Sequence, residues 1–202
     1  MRPSQKNKQS RKQQAKSGAL FLIGSGLVLI SVVIFLAVLK PALASQASKS
    51  SSSSGDDYSV IPMQVNFQAP KLTLTSLSGE DMSLSKFQGQ VILVNNWATW
   101  CPPCKAEMPS LQSYYEDHAA DGFTLIGIES GEPAEEVSQF VDSFGLTFHI
   151  WLDPDGKALL VFHNNNLPSS YVIDRQGTVR LAWTGPISQK MLEEYVTPLI
   201  KE

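Results

Sequence analysis

The sequence predicts an α/β fold with a mixed central sheet, parallel in one half and antiparallel in the other, and helices on both faces. Three observations predict it. Two largely apolar runs, 91–94 and 123–128, are typical of buried parallel strands. A helical pattern of apolar residues follows each run. Near the C-terminus, the strand-like segments 170–173 and 178–183 are joined by the turn 174–177, which predicts an antiparallel hairpin.

The remaining elements of this predicted domain, residues 63–202, follow in order. Segments 71–77 and 81–84 carry alternating apolar residues around a Ser-Gly-Glu turn, which predicts an extra N-terminal β-hairpin. We expect helices over 105–119, 133–144, 157–162 and 187–200, and one more strand over 148–152. A domain of this length can bury one hydrophobic core.

The first 62 residues differ in composition from the rest. Residues 1–17 form a basic tail with six Lys or Arg and no acidic residue. Residues 18–40 contain an uncharged stretch of 21 residues, and a transmembrane helix needs about 20. Since basic residues precede this stretch, it predicts a signal-anchor with a cytoplasmic N-terminus and an extracytoplasmic domain. Residues 41–62 are rich in serine and predict a flexible linker.

A cleaved signal peptide is the alternative to an anchor. Residues 42–44, Ala-Leu-Ala, have the small-x-small pattern of a cleavage site, so a secreted form remains open. The domain is exported in both cases. Residues 63–202 contain 8 Lys or Arg and 17 Asp or Glu, a formal charge of −9, which argues against a nucleic-acid partner.

The only two cysteines, Cys101 and Cys104, lie between an apolar run and a helix-forming sequence. This order places a thiol at a helix N-terminus, where free N–H groups and the helix dipole favour a thiolate. Pro102 and Pro103 fix the backbone between them and suit the first turn of a helix. The stretch therefore predicts thiol–disulfide exchange, for which the dithiol itself is the redox group and no metal or organic cofactor is needed.

Three other interpretations of the cysteines are weaker. A structural zinc site needs about four ligands, and the histidines His118, His149 and His163 are far apart in sequence. A purely structural disulfide across so short a loop would remove little entropy from the unfolded chain. Two unreactive buried cysteines remain possible, but burial does not explain the two prolines.

Four segments carry a family resemblance: 69–70 (Ala-Pro), 84–90 (Leu-Ser-Lys-Phe-Gln-Gly-Gln), 94–104 (Val-Asn-Asn-Trp-Ala-Thr-Trp-Cys-Pro-Pro-Cys) and 167–170 (Leu-Pro-Ser-Ser). Together they resemble the TlpA/ResA group of membrane-anchored, thioredoxin-fold thiol–disulfide oxidoreductases, within the AhpC/TSA-like redoxin superfamily. The likeness covers residues 66–202 and implies a thioredoxin fold.

The resemblance implies a role for each residue of the motif. Cys101 is the implied attacking thiol and Cys104 the resolving thiol, which alternate between a dithiol and a Cys101–Cys104 redox disulfide. Glu107 completes a CxxCxxE pattern and is the implied carboxylate that tunes the thiols or carries a proton; the alternative is an exposed glutamate in a helix's first turn. Leu167 and Pro168 resemble the family's cis-proline loop, which binds substrate backbone; the alternative is an ordinary trans proline.

Other residues are candidates on weaker grounds. Glu132 resembles a second family carboxylate, although it could simply precede the next helix, and nearby Glu129 makes the alignment ambiguous. Trp100, Pro102 and Pro103 are expected to contact substrate, with Trp100 as a surface platform.

Two positions depart from the expected pattern. Asn95 stands where thioredoxin has a buried aspartate, and since an amide cannot act as a base, that role shifts to Glu107 or water. Asn96 replaces a common aromatic residue. We also expect Trp97 in the core. His163 is expected in an exposed loop, with a position near the site as the alternative.

By resemblance, the expected activity is reduction of disulfides in exported proteins. Apocytochrome c is the family's best-known substrate class, which implies roles in cytochrome c maturation and cell redox homeostasis. A monomer held in the membrane by its N-terminal helix and recharged by a membrane electron donor is expected. A disulfide-forming oxidase or isomerase, a non-catalytic binding module and a thiol peroxidase are the alternatives; the last lacks an isolated cysteine outside the CxxC.

Overall fold

A computed structural model describes residues 59–202 and contains one mixed β-sheet there. Its eight strands lie in the order β1-β8-β7-β4-β5-β6-β2-β3. The strands are β1 (Met63–Gln68), β2 (Thr73–Ser76), β3 (Asp81–Ser83), β4 (Val91–Trp97), β5 (Phe123–Glu129), β6 (His149–Leu152), β7 (Ser169–Ile173) and β8 (Thr178–Thr184).

Strand direction divides the sheet as the sequence predicts. The neighbours β4, β5 and β6 run parallel, while β7 pairs antiparallel with both β4 and β8. The predicted N-terminal hairpin is present as β2 and β3, and β2 also pairs with β6 at that side of the sheet. The mixed α/β sheet and the extra hairpin are confirmed.

Helices cover both faces of the sheet. They are α1 (Pro102–His118), α2 (Ala134–Phe144), α3 (Lys157–Val161), α4 (Gln189–Tyr195) and α5 (Thr197–Ile200), with 3-10 turns at Leu84–Phe87 and Ala119–Asp121. Because side chains alternate along a strand, β4 feeds two cores. Leu93 belongs to the core that includes α1, α2 and α4, and Val94 to the core that includes α3.

The main differences from the prediction lie at three places in the chain. The α1 helix begins at Pro102 rather than residue 105, because proline fits the first helical positions. The C-terminal helix is divided at Val196 into α4 and α5, where Pro198 lacks the N–H that would continue the α4 ladder. Strand β1, which pairs antiparallel with β8, was not predicted, although Met63, Val65 and Phe67 alternate with polar residues.

The predicted basic tail, the signal-anchor and most of the linker lie outside the described residues. Within 59–202, no helix is both long and apolar enough to cross a membrane. The last residues assigned to the linker contact the domain. The Val60 amide donates to the Pro186 carbonyl over 3.0 Å, and the Ser188 amide donates to Ser59 Oγ over 2.9 Å.

Candidate active site

The two cysteines form a disulfide where the loop after β4 enters α1. Their sulfur atoms are 2.08 Å apart and their Cα atoms 5.3 Å apart. Cys101 is the N-cap residue of α1, and its Sγ accepts the Cys104 amide over 3.3 Å. Sulfur at this position lies against the free N–H groups of the helix, which favour a thiolate once the disulfide is reduced.

The loop that carries Cys101 is held by the end of β4. Trp97, the last residue of β4, is fully buried and packs on Phe140 of α2 with ring centroids 4.9 Å apart. The Cys101 amide donates to the Ala98 carbonyl over 3.2 Å, which closes a tight turn. Trp97 is thus in the core, as predicted, whereas Trp100 at the tip of this turn is 65% exposed.

A groove of about 590 Å³ runs beside the disulfide. One wall contains Trp100, Cys101 and the two exposed helix prolines, and the other contains residues 165–167 of the loop before β7. Cys104 is fully buried beneath and does not line the groove. A molecule in the groove therefore meets Cys101 first.

The loop opposite the cysteines contains a cis peptide bond between Leu167 and Pro168, as the resemblance implies. Leu167 borders the groove, while Pro168 is buried and its carbonyl accepts the Gly185 amide over 2.9 Å. The fold therefore brings Leu167 and Cys101 to one groove although 66 positions separate them in the sequence.

Glu107 lies inside the protein beneath the disulfide. It follows Cys104 by three positions on α1, so both side chains face the same side of the helix. Glu107 is 1% exposed, and therefore the alternative of an exposed first-turn glutamate is wrong. Burial raises the pKa of Glu107 to about 8, against the lowering effect of its hydrogen bonds.

Asn95 is the main partner of Glu107. Its Nδ2 donates to Glu107 Oε1 over 2.8 Å and to Ser170 Oγ over 2.9 Å. The Ile187 amide donates to the other carboxylate oxygen over 3.1 Å. The sequence identified Asn95 as a departure from thioredoxin but did not predict these contacts, which depend on the pairing of Asn95 with Ser170 across β4 and β7.

Glu132 binds the loop before Cys101. Its carboxylate accepts the Thr99 amide over 2.7 Å and also the Thr99 hydroxyl. Partial burial alone would raise the pKa of Glu132, but these hydrogen bonds lower it below its usual range. Glu132 lies just before the N-cap of α2, so it is both near the next helix and in contact with the cysteine loop.

Glu129 is a buried residue that the sequence analysis did not assign. It ends β5, is fully buried, and its Oε2 accepts the Glu132 amide over 3.2 Å. The alternation of side chains along β5 could have predicted this burial, because Glu129 lies on the same face of the strand as Phe123, Leu125 and Gly127.

The two remaining sequence candidates lie apart from the disulfide. The Asn96 side chain points to the other face of the sheet, where its Nδ2 donates to Ser169 Oγ over 3.2 Å. His163 is exposed in the loop after α3, with a positive φ of 53°. Its placement agrees with the predicted exposed loop.

Comparison with known proteins identifies the family. Residues 65–182 match the model of the AhpC/TSA family, which is more than half of the chain. The thiol-disulfide oxidoreductase ResA of Geobacillus kaustophilus is 33% identical over 132 residues, covering 65% of this chain and 76% of that protein. The ResA of Bacillus subtilis is 31% identical over 155 residues, covering 77% of this chain and 80% of that protein.

A solved structure gives the same result for the fold. The thioredoxin-family thiol:disulfide interchange protein of Chlorobium tepidum superposes with a TM-score of 0.62 at 26% identity. The match covers 68% of this chain and 99% of the other. The disulfide at the helix N-terminus, the fold and the relatives agree: the chain belongs to the AhpC/TSA family, has a thioredoxin fold and is a thiol–disulfide oxidoreductase.

Proposed function

We propose that this protein reduces disulfides of exported proteins through a Cys101/Cys104 dithiol on the outer side of the membrane. The observation that carries the proposal is the difference between the two cysteines. Cys101 borders the groove and accepts a helix N–H, whereas Cys104 is fully buried behind it. This difference supports Cys101 as the attacking thiol and Cys104 as the resolving thiol.

The proposed reaction has two exchange steps. The Cys101 thiolate attacks one sulfur of a substrate disulfide, so that a mixed disulfide forms, the substrate S–S bond breaks and the leaving thiolate takes a proton. Cys104 then attacks Cys101 Sγ, which forms the Cys101–Cys104 disulfide and releases the second substrate thiol. Two electrons pass to the substrate, and a donor dithiol in the membrane must return two to the protein.

Glu107 is the proposed proton carrier for the resolving step. Its carboxyl group lies on the same helix face as Cys104, and with a pKa of about 8 it holds a proton at neutral pH. A group with its pKa near the working pH can both accept and return a proton. This assignment gives Glu107 the base role that Asn95 cannot perform, while Asn95 orients the carboxyl group.

The groove supports an extended polypeptide as substrate. Its walls combine apolar surface from Trp100 and Leu167 with the side chains of Asn165 and Asn166. We propose that Trp100, Pro102, Pro103 and Leu167 form the substrate-binding surface and that Pro168, buried next to Leu167, supports it from inside the loop. Apocytochrome c is the proposed substrate class. The uncharged stretch within 18–40 supports a membrane anchor for this protein, which we propose to be a monomer.

The reduction potential of the purified protein, measured against glutathione, tests the direction of electron flow. A value near that of thioredoxin, about −270 mV, is expected for a reductant. A value near that of DsbA, about −120 mV, would instead identify the protein as an oxidase. Cys101→Ser is the control, because it leaves no pair to titrate.

A trapping experiment tests the roles of the two thiols. Cys104→Ser should accumulate a mixed disulfide between Cys101 and an oxidised CxxC peptide of apocytochrome c, since the resolving thiol is missing. Cys101→Ser should accumulate none. Equal trapping by both variants would overturn the assignment of roles, and no trapping of that peptide would remove apocytochrome c as substrate.

A further inference from the structure

Glu129 and Glu132 form a carboxyl pair beside the cysteine loop. Glu129 ends β5 beside Trp97, its register partner on β4. The side chains of Glu129 and Trp97 lie on the sheet face that carries α1 and the disulfide, because they continue the alternate residues of β5 and β4 that pack on that face. The exchange chemistry proposed above uses neither Glu129 nor Glu132.

Glu129 is buried in an environment that disfavours its charge. Its side chain is fully buried, and no amide, hydroxyl or basic group within 59–202 donates to its Oε1. The carboxyl groups of Glu132 and Asp153 act electrostatically on Glu129, while Lys105 acts on Glu132. Burial first, and then the hydrogen bond to Glu132, raise the pKa of Glu129 to about 8.

A proton on Glu129 removes the repulsion between its carboxyl group and the Glu132 carboxylate. Two carboxylates cannot share a hydrogen bond unless one of them holds a proton. If Glu129 is neutral, its hydroxyl has an acceptor in the neighbouring Glu132 carboxylate, while its Oε2 accepts the Glu132 amide over 3.2 Å. Glu132 is then fixed at both its backbone and its side chain.

Fixing Glu132 fixes the cysteine loop. The Glu132 carboxylate takes both donors of Thr99, and Thr99 stands two positions before Cys101 in the turn closed by Ala98. The neighbouring Ser130 amide donates to the Trp97 carbonyl over 3.0 Å, so the start of the loop is tied to the same segment.

We propose that Glu129 is a positioning residue for Cys101. In its protonated form it holds Glu132, which holds Thr99 and hence the loop that presents the Cys101 sulfur. Ionisation of Glu129 removes the donor and puts two like charges together, so the loop is released at alkaline pH. The inference depends on the proposed role of Cys101 as attacking thiol.

The test uses the full chain with Cys104→Ser, in which Cys101 is the sole thiol. The measurement is the rate constant of mixed-disulfide formation with oxidised glutathione, divided by the thiolate fraction at each pH from 6 to 9.5. Glu129→Leu removes the donor and should lower this normalised constant at pH 7 about tenfold, the effect of one hydrogen bond to a charged group. Glu129→Gln retains a neutral donor and should restore it.

The pH profile separates positioning from simple packing. The parent chain should lose normalised rate as pH rises through 8, while Glu129→Gln should not, because its side chain cannot ionise. Glu107 and Lys105 are retained in every variant, so the difference between the profiles isolates Glu129. Glu136→Gln, which removes an exposed charge on α2, is the matched control and should keep the parent profile.

Identical profiles for the parent and Glu129→Gln would overturn the proposal, even if Glu129→Leu fails to fold. The experiment remains independent of the proposed substrate, because oxidised glutathione replaces it. A protein that traps no apocytochrome c peptide but shows the predicted profiles would lose its assigned substrate and keep the positioning role of Glu129.

Discussion

The two ends of the central sheet hold polar side chains in different environments. At the end away from the cysteines, the Arg175 guanidinium donates to the carbonyls of Gly89, Gly122, Asp121 and Ile200 at 2.7–3.4 Å. It joins the loops before β4 and β5 to the last residue of α5. At this end, the charged guanidinium group donates hydrogen bonds to four backbone carbonyls.

The active-site end buries carboxyl groups without a cation. Glu107 and Glu129 are 1% and 0% exposed, and within 59–202 neither forms an ion pair. Two buried side-chain atoms at this end, Asn95 Oδ1 and Trp97 Nε1, also lack hydrogen-bond partners within 59–202. A buried group without a counter-charge costs stability but acquires a shifted pKa, which is common at functional sites. This difference indicates that Arg175 serves stability, and it supports the proposed chemical roles of the buried glutamates.

The pH dependence of stability gives the largest expected effect. Since the pKa of Glu107 is raised from 4.5 in the unfolded chain to about 8 in the folded protein, the folded state holds an extra proton between these values. The contribution of Glu107 to stability should therefore fall as pH rises from 4.5 to 8, by up to about 1.4 kcal/mol per pH unit, and change no further above 8. Urea unfolding of the oxidised protein at a series of pH values measures this slope.

Glu107→Gln should flatten that slope and make the protein more stable than the wild type at pH 8. Glu129 contributes with the same sign, so the fall in stability that remains between pH 6.5 and 8 should disappear in the Glu107→Gln/Glu129→Gln double variant. Equal slopes in the wild type and Glu107→Gln would show that Glu107 is ionised in the folded protein and would remove its proposed role as proton carrier.

Substitutions of Arg175, at the end away from the cysteines, should change the stability of the protein but not the reactivity of Cys101. Arg175→Met leaves several backbone carbonyls without their donor, and we expect a loss of about 2–4 kcal/mol in the free energy of unfolding. Arg175→Lys keeps the charge but cannot reach as many carbonyls, so its loss should be smaller. Neither variant should alter the pH dependence of Cys101 alkylation in the reduced protein; a changed dependence would mean that the two ends are coupled.

The sequence predicted most of the fold because its signals are local. The apolar runs of β4 and β5, the α1 helix beginning near the cysteines, and the turn between β7 and β8 each depend on residues close together in the chain. The boundary at Val196 was missed because a regular apolar pattern continues across Pro198, and the backbone hydrogen bond lost there leaves no trace in that pattern.

The site was predictable only as far as its motif. Cys101 and Cys104 are neighbours in sequence, so their pairing needed no knowledge of the fold. The contacts of Glu107 with Asn95 and Ile187 connect positions 12 and 80 residues apart, and they depend on strand register and on the course of the chain after β8. Glu129 was missed because a glutamate at the end of an apolar run reads as a strand boundary, whereas the register places it inside.

The smallest expected effect tests how closely the active-site end is packed. Gly127 lies on β5 opposite Asn95, and a Cβ there would be 2.9 Å from Phe148 Cε2 and 3.0 Å from Trp97 Nε1. Gly127→Ala should therefore cost about 1–3 kcal/mol through overpacking and should shift the fluorescence of Trp97. Phe148→Leu removes the ring atom at 2.9 Å, so the double variant should lose less than the sum of the two single changes. If the two losses of stability add strictly, the new Cβ displaces Trp97 rather than Phe148. Gly127→Ala should then also alter the reactivity of Cys101, because the loop that carries this cysteine starts from Trp97.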